Sequence, residues 1–325
     1  MRRAAPWLWL LVAVVVAGAA GLAAGAVPIA PRDVWRALLG EGDATTLAIV
    51  RAVRLPRVAL SLCVGAALGM SGATLQGVLR NPLAEPYLLG VSGGAAVGAV
   101  LAVAAGIASA TSIAAAAFAG AILAVAGVLS LARAAGGRGD TRILLMAGVV
   151  VGAFANAAIM VVMATASPDT TRNALWWMMG SVAAARWRDV LLLGGVLVVA
   201  GGAVLHRARD LDVLALGADT AVSLGVDADR AAMRFFMLAS LLAAATVATA
   251  GLVGFVGLMI PHLARSLTGG RARPVLVASM LAGAALVAAA DIAARIARAP
   301  AELPLGAITA IVGVPFFLAR LRRPA

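Results

Sequence analysis

Long apolar runs separated by short polar connections extend along the whole 325-residue chain. Runs of about 18 residues or more can cross the ~30 Å hydrocarbon core of a bilayer as α-helices. The runs predict ten membrane-spanning helices, at residues 7–27, 58–78, 88–106, 111–133, 143–165, 189–206, 232–250, 252–267, 274–293 and 304–320. We therefore expect an all-α polytopic membrane protein with about ten transmembrane helices, in which residues 1–325 form a single transmembrane domain.

The composition supports a membrane protein and excludes several kinds of chemistry. Hydrophobic residues make up 63% of the chain, charged residues 12%, and the mean hydropathy is +1.03, which is too apolar for a soluble domain. All 26 basic residues are arginines, so the chain has neither a P-loop lysine for nucleotide phosphates nor a Schiff-base lysine. If ATP drives this protein, another chain must bind the nucleotide.

The arginines also predict the orientation of the ten segments. An even number of crossings puts both termini on one side, and a cytoplasmic location of the termini places 16 arginines inside and 10 outside. We therefore expect a multi-pass protein of the bacterial inner membrane with both termini in the cytoplasm, and we interpret the first apolar run as an uncleaved helix. The net charge of +12 could suit nucleic acid, but arginines in connections and at the ends favour membrane orientation and no nucleic-acid partner.

Side chains that catalyse reactions or bind metals are scarce. Cys63 is the single cysteine and there are two histidines, so we expect no disulfide within the chain, no metal site and no cofactor. The sequence contains no His-Glu-x-x-His or Gly-x-Ser-x-Gly motif and no carboxylate pair at catalytic spacing, so we name no catalytic residue. Asp291 is the clearest carboxylate in a predicted membrane segment, and an ion-coupled secondary transporter would need one. That class stays an alternative, as does an intramembrane enzyme.

Residues 81–95 combine prolines and glycines near a predicted membrane segment. Pro82 and Pro86 stop a helix from running through, and Gly90, Gly93 and Gly94 permit close backbone approach. Non-helical backbone at membrane depth is tolerated only where it is buried in protein or lines a cavity. The stretch predicts a channel wall or gate, and a plain tight connection between two helices is the alternative.

Residues 251–265 form a second interrupted stretch. Gly251, Gly254 and Gly257 are spaced by three, which predicts a stripe of small residues for close helix packing. Pro261 predicts a break in the helix just before His262. A gate and a kinked packing helix are both consistent with this pattern.

The inner connection, residues 207–231, holds much of the polar sequence. Within residues 214–227 we expect two short helices, with Asp219 and Asp227 as N-caps and Gly225 at a C′ position. Ala221 and Leu224 contribute to an apolar face that is too small to be a core. This face suits docking against a partner protein, although a loop lying on the bilayer would look similar.

Arginines on the predicted outer side oppose the positive-inside trend. Arg54 and Arg57 immediately precede the second membrane helix, and Arg295 lies at another outer connection. They indicate an acidic partner. The alternatives are that Arg54 and Arg57 anchor the helix at the interface and that Asp291 pairs with Arg295 on one helix face.

Several motifs together resemble the FecCD-type permeases, the membrane subunits of bacterial ABC importers for iron-siderophores, haem and vitamin B12. The motifs are Arg54-Leu-Pro-Arg57, Gly65-Ala-Ala-Leu-Gly, Asn81-Pro-Leu-Ala-Glu-Pro, Gly254-Phe-Val-Gly-Leu-Met-Ile-Pro-His and Ala301-Glu-Leu-Pro-Leu-Gly. They occur in family order from about residue 45 onward. The resemblance implies a type II ABC importer permease fold and a homodimer, surrounded by membrane lipid, with the pathway at the dimer axis. It further implies two ATP-binding ABC subunits, a periplasmic substrate-binding protein, and no reaction catalysed by this chain.

The resemblance also implies roles for individual residues. The residues that match the cytoplasmic gate are Asn81, Leu83 and Thr141. The residues that match arginines receiving acidic side chains of the binding protein are Arg54, Arg57 and Arg295. The residues in the ATPase-coupling segment, at about 215–230, are Leu216, Gly217, Asp219, Ala221, Leu224 and Gly225.

Two positions depart from the family pattern. Arg142 lies beside the gate, where relatives can carry small polar residues, and Tyr87 stands where some relatives carry glycine. Siderophore, haem and cobalamin are not distinguished by any feature of the sequence.

Overall fold

A computed structural model describes residues 5–25, 27–136 and 141–321 of the protein. The described chain consists of helices joined by turns, with π-helical turns at Ile49–Arg54 and Leu197–Gly201 and a 3₁₀ turn at Pro86–Leu89. The α-helices are α1 (Ala5–Ala23), α2 (Pro31–Leu39), α3 (Ala44–Ala48), α4 (Leu55–Val78), α5 (Val91–Ala104), α6 (Ala110–Ala134), α7 (Thr141–Thr165), α8 (Pro168–Met178), α9 (Trp187–Val196), α10 (Gly202–His206), α11 (Ala208–Ala215), α12 (Ala218–Ser223), α13 (Ala228–Ala250), α14 (Val256–Thr268), α15 (Ala272–Ile296) and α16 (Leu305–Leu321).

All ten predicted membrane segments contain a helix, so the polytopic all-α fold is confirmed. Seven helical stretches in the described ranges are long and apolar enough to cross a membrane. The other three, α5, α14 and α16, have 14, 13 and 17 residues. At 1.5 Å per residue a 14-residue helix is about 21 Å long, so α5 and α14 each cover only part of a bilayer core.

The second membrane helix is much longer than the predicted segment 58–78. It begins at Ala44, passes through the π-helical turn and ends at Val78, which gives 35 residues or about 52 Å. Asp43 caps its start by accepting a hydrogen bond from the Thr46 amide (2.8 Å), and this bond lowers the pKa of Asp43. The predicted connection 28–57 is therefore largely helical, because α2 occupies its first part.

The centre of the bundle is α4, which packs against α13, α14 and α15. Its glycines allow this close approach: a Cβ on Gly65 would lie 2.0 Å from the Gly283 carbonyl oxygen, and one on Gly69 would lie 2.1 Å from the Ser279 oxygen. A second packed group, α5, α6 and α7, adjoins this centre through α13. Small residues thus bring helix backbones together, as is common where lipid provides no hydrophobic drive for association.

The helix bundle has two ends that carry different residues. The arginine end is the end at which Arg54, Arg57 and Arg295 lie, at the start of α4 and the finish of α15. The loop end is the opposite end, where residues 207–227 connect α10 to α13.

The interruption near α14 differs from the prediction. Helix α14 continues through Pro261, and the irregular segment lies earlier, at residues 251–255. The predicted stripe of Gly251, Gly254 and Gly257 is wrong, because only Gly257 is helical and only a helix would align residues spaced by three. Gly251 instead ends α13 at a φ of +69°, a conformation that glycine adopts readily.

Candidate functional site

The segment after α4 holds two of the three predicted gate residues. Pro82 and Pro86 keep it out of an α-helix, as the sequence predicts. The side-chain oxygen of Asn81 accepts a hydrogen bond from the Leu83 amide (2.9 Å), and the Leu83 side chain is exposed. Thr141 begins α7, but its side chain lies outside the described residues. The gate assignment therefore stays a prediction.

The same segment packs against the irregular residues before α14. The Glu85 carboxylate accepts a hydrogen bond from the Phe255 amide (2.8 Å), and the Tyr87 hydroxyl oxygen accepts one from the Val253 amide (2.9 Å). Residues 251–255 are not helical, and an unpaired amide in a membrane protein's interior costs several kcal/mol. Glu85 and Tyr87 therefore stabilise the unwound approach to α14, which is the structural consequence of having tyrosine at position 87.

Gln76 compensates for the proline inside α14. Pro261 has no N–H, so the carbonyl of Gly257, four residues earlier, lacks its usual helical partner. The Gln76 side-chain nitrogen lies 3.3 Å from the Gly257 oxygen and 3.1 Å from the Leu258 oxygen, and its side-chain oxygen accepts a hydrogen bond from Arg265 (2.6 Å). One buried amide thus lets α14 continue where the sequence predicted a break. Sequence reasoning missed Gln76 because its partners in α14 lie more than 180 residues away.

A cavity of about 420 Å³ lies beside residues 80–82, after α4, at the loop end. Residues of α4, α11, α14 and α15 line it, and its polar lining includes Arg80, Asn81, Asp212, His262 and Arg265. Helix α11 and Asn81, a predicted gate residue, line the same cavity, so a movement of α11 would change the space beside Asn81.

The loop end carries the predicted ATPase-coupling residues on α12 and its flanks. Leu216 and Leu224 are exposed apolar side chains, whereas Ala221 is completely buried and packs towards the bundle. Leu216 and Leu224 are therefore available to a partner, and Ala221 positions α12 from its inner side. The coupling roles themselves stay predictions.

The local structure of this connection matches the sequence in part. Asp227 caps α13 by accepting a hydrogen bond from the Arg230 amide (3.0 Å), and Gly225 follows α12 at a φ of +80°, so both expectations are confirmed. The N-cap prediction for Asp219 is wrong, because α12 already begins at Ala218 after Gly217. The first predicted helix is α12, and the second is the start of α13, which is not short because it continues to Ala250; α11 was not predicted.

A side chain of α11 connects the loop end to the start of α15. The Asp212 carboxylate accepts a hydrogen bond from the backbone amide of Ala272, the first residue of α15 (2.6 Å). The N-terminal amides of a helix lack partners within the helix, and a carboxylate there also interacts favourably with the helix dipole. The sequence did not predict this contact, because α11 and α15 are separated along the chain by two membrane helices, α13 and α14.

At the arginine end, two of the three predicted docking arginines close the end of α1. Arg54 donates to the carbonyl oxygens of Leu22 and Ala23 (2.7 Å each) and also to that of Val27. Arg295 donates to the carbonyls of Gly21 (3.0 Å) and Ala24 (3.1 Å). The last carbonyls of a helix lack partners within the helix and attract cations. Both arginines therefore stabilise α1 and are buried.

Arg57 forms the centre of a buried charge cluster. One edge of its guanidinium donates hydrogen bonds to both oxygens of Asp291. Another edge donates to both oxygens of Glu302. Asp291 also lies 3.0 Å from Arg295, so the expected pairing of these two residues is confirmed. The side chains of Arg57 and Asp291 are only 7% and 2% exposed. The arginines thus do not simply anchor the helix at the interface, and sequence reasoning missed Glu302.

A sequence profile of the FecCD transport family matches residues 10–323 of the chain. The chain belongs to this family. Among its FecCD-type relatives, it is 42% identical to the cobalamin import system permease protein BtuC of Halobacterium salinarum, over 86% of this chain and 74% of the relative. It is 35% identical to the hemin transport system permease protein HmuU of Yersinia pestis, over 96% and 93%. It is 38% identical to the Fe(3+) dicitrate transport system permease protein FecC of Escherichia coli, over 92% and 90%.

The fold of this FecCD chain is similar to that of a solved transporter. A structure described as an inward-facing conformation of a metal-chelate type ABC transporter superposes with a TM-score of 0.88 at 28% sequence identity, covering 97% of this chain and 98% of that one. The resemblance drawn from the motifs is confirmed, and the fold is that of an ABC transporter rather than a secondary transporter.

Proposed function

We propose that this FecCD chain is the permease subunit of a binding-protein-dependent ABC importer. It forms a single membrane domain in the bacterial inner membrane, with both termini in the cytoplasm. The family match over residues 10–323 carries the proposal. The absence of lysine supports separate ATPase subunits, since no P-loop can form. An ion-coupled mechanism finds no support at Asp291, because two arginines already neutralise this carboxylate.

The proposed substrate is a metal ion held inside an organic ligand. The relatives are named for cobalamin, hemin and ferric dicitrate, which share this chemistry. A ferric siderophore belongs to the same class. The loaded ligand comes from a periplasmic binding protein that docks at the arginine end.

The proposed assembly is a homodimer with the pathway between the two copies. Helix α7 begins at the gate residue Thr141, and Met146, Val150 and Phe154, spaced by four, are exposed along it. This apolar stripe suits a second copy or lipid beside the pathway. Two ATP-binding subunits dock at the loop end on the exposed side chains of Leu216 and Leu224.

The proposed mechanism is alternating access driven from the loop end. Closure of the ATPase pair moves α12 and α11, and this movement reshapes the cavity beside Asn81. The permease catalyses no reaction, because its contribution is to exchange two conformations that the partners favour differently.

Reconstitution in liposomes tests the proposal. The purified chain is assembled with its ATPase and its binding protein, and uptake of cyanocobalamin, hemin and ferric dicitrate is measured with and without ATP. We expect accumulation of one of these ligands only when ATP and both partners are present. Accumulation by the isolated chain under an ion gradient would contradict the proposal and support a secondary transporter. Turnover of a ligand by the isolated chain would instead support an intramembrane enzyme.

A further inference from the structure

The burial of the docking arginines limits how an acidic partner can reach them. Arg54 and Arg295 are 5% and 6% exposed, and their guanidinium groups bind main-chain carbonyls at the end of α1. Freeing either group would leave those carbonyls unpaired. Arg57 differs, because one of its two carboxylate partners is accessible from outside.

Two edges of the planar Arg57 guanidinium bind carboxylates that differ greatly in solvent exposure. The Nε and Nη2 side binds Asp291 at 3.0 and 2.8 Å, and that carboxylate is 2% exposed. The Nη1 and Nη2 end binds Glu302 at 2.7 and 2.8 Å, and that side chain is 38% exposed. The two terminal nitrogens of a guanidinium donate two parallel hydrogen bonds to one planar carboxylate. Glu302 occupies the position that an incoming carboxylate would need.

Glu302 belongs to a connection that is weakly attached to the rest of the protein. Residues 297–301, between α15 and α16, are all exposed. In the described ranges, the side-chain hydrogen bonds that fix residues 297–304 are those between Glu302 and Arg57. Backbone bonds resume at Leu303, which donates to Ala294, and at Leu305, which donates to Gly180. Glu302 can therefore leave Arg57 without disturbing a packed helix.

Charge balance favours replacement of Glu302 over its simple removal. Arg57, Arg295, Asp291 and Glu302 together carry two positive and two negative charges. Withdrawing Glu302 alone would leave one buried cation without its counter-ion, which is strongly unfavourable. A second carboxylate in the same position restores the balance, so the exchange needs little net electrostatic free energy.

We propose that Glu302 is a resident carboxylate that an acidic side chain of the docking protein displaces from Arg57. The proposal rests on the docking role proposed above for the arginine end. Docking by exchange releases the Glu302 side chain and the exposed residues 297–301, while the backbone hydrogen bonds of Leu303 and Leu305 hold the start of α16 in place. Docking of a binding protein thereby causes a conformational change on the outer side of the permease. Because Glu302 competes for Arg57, it lowers the affinity of the permease for the binding protein.

Binding measurements on the assembled importer test the exchange. The binding protein that drives uptake in the liposome experiment is titrated onto the importer in lipid nanodiscs, with wild type, Glu302→Gln and Glu41→Gln compared. The amide of Glu302→Gln is uncharged and competes less well, so we expect docking to tighten roughly tenfold, mainly through slower dissociation. Glu41→Gln is the matched control, because Glu41 is exposed and lies 3.8 Å from Arg36. In an Arg57→Gln background the gain from Glu302→Gln should disappear.

Equal or weaker docking by a folded Glu302→Gln importer would overturn the exchange while leaving the importer assignment intact. Failure of the wild-type importer to bind the protein would overturn the docking role and the exchange together. A spin label at Arg298→Cys in a Cys63→Ser chain provides a second measurement that keeps Glu302 unchanged. We expect docking to raise the mobility of this label, and unchanged mobility at saturating binding protein would reject the exchange.

Discussion

Individual buried polar side chains hold the irregular parts of this bundle together. Gln76 supplies the donor that Pro261 lacks, and Glu85 and Tyr87 supply acceptors for amides that a helix would otherwise pair. Each contact replaces a backbone hydrogen bond at a depth where water is scarce. Single side chains therefore make possible backbone conformations that local preference disfavours.

Replacing Gln76 tests this role at the residue scale. Gln76→Leu removes the donor to Gly257 and Leu258 and the acceptor of Arg265, and each buried unpaired group costs about 1–3 kcal/mol. We expect a clear fall in the thermal unfolding temperature in detergent. Asn173→Leu, at an exposed position of α8, should have little effect. Equal unfolding temperatures for the two variants would show that Gln76 is dispensable.

At the scale of elements, the contact between α4 and α15 organises the bundle. Gly65 and Gly69 face main-chain carbonyls of α15, so any Cβ there would overlap backbone that cannot move aside alone. Asp291 on α15 and Arg57 on α4 then join the same two helices at the arginine end. The two helices thus behave as one packed unit.

Adding one methyl group at Gly69 is expected to destabilise the packing of α4 against α15. Gly69→Ala places a Cβ 2.1 Å from the Ser279 oxygen, and such overpacking typically costs about 1–3 kcal/mol. Thermal unfolding measures the loss. Gly194→Ala in α9 is the matched control, because no neighbouring atom lies within 4 Å of the methyl group that this substitution adds, and alanine favours a helix. A Gly69→Ala protein as stable as the control would contradict the close approach.

On the scale of the whole molecule, α15 connects the two ends that partners are proposed to use. Its 25 residues extend about 37 Å, from the Asp212 contact at the loop end to the Arg57 cluster at the arginine end. Because α15 packs along α4, a displacement at one end is transmitted by a rigid pair rather than absorbed locally. This arrangement suits a permease that receives ATP-driven movement at one end and a binding protein at the other.

Asp212 connects α11 to α15, so replacing it should interrupt the transfer of movement from α11 to α15. Asp212→Ala removes the acceptor for the Ala272 amide, so we expect ATP hydrolysis to continue while ligand uptake per ATP falls severalfold. Asp212→Asn keeps an acceptor oxygen and should restore most of the coupling. Asp210→Ala, on the same helix, is the control. Transport and ATPase rates in liposomes give the number of ligands transported per ATP hydrolysed. A wild-type value for Asp212→Ala would rule out transmission through the contact between Asp212 and Ala272.

Local chemistry explains which predictions were correct. Apolar length located all ten membrane helices, Pro82 and Pro86 marked the end of α4, and Gly225 and Asp227 marked the boundary between α12 and α13. Apolar length is a property of one continuous segment, and the proline, glycine and aspartate signals act within about one helical turn. The wrong predictions concern Pro261, Asp219 and the stripe of Gly251, Gly254 and Gly257, and they also relied on local rules. At Pro261 the distant Gln76 side chain pairs the carbonyl that the proline leaves free, so the helix continues. At Asp219 the helix begins one residue before the predicted N-cap.

By itself, the sequence determined a polytopic all-α membrane protein of the FecCD family, with ten predicted membrane segments and no P-loop lysine for nucleotide. Only the tertiary structure decided how its few charges are used. Arg57 and Asp291 are 234 residues apart, and their pairing depends on how α4 and α15 pack. Inside a membrane protein little water is available, so a buried charge is stable only when the fold places an opposite charge beside it. The local sequence does not specify which distant residue that will be.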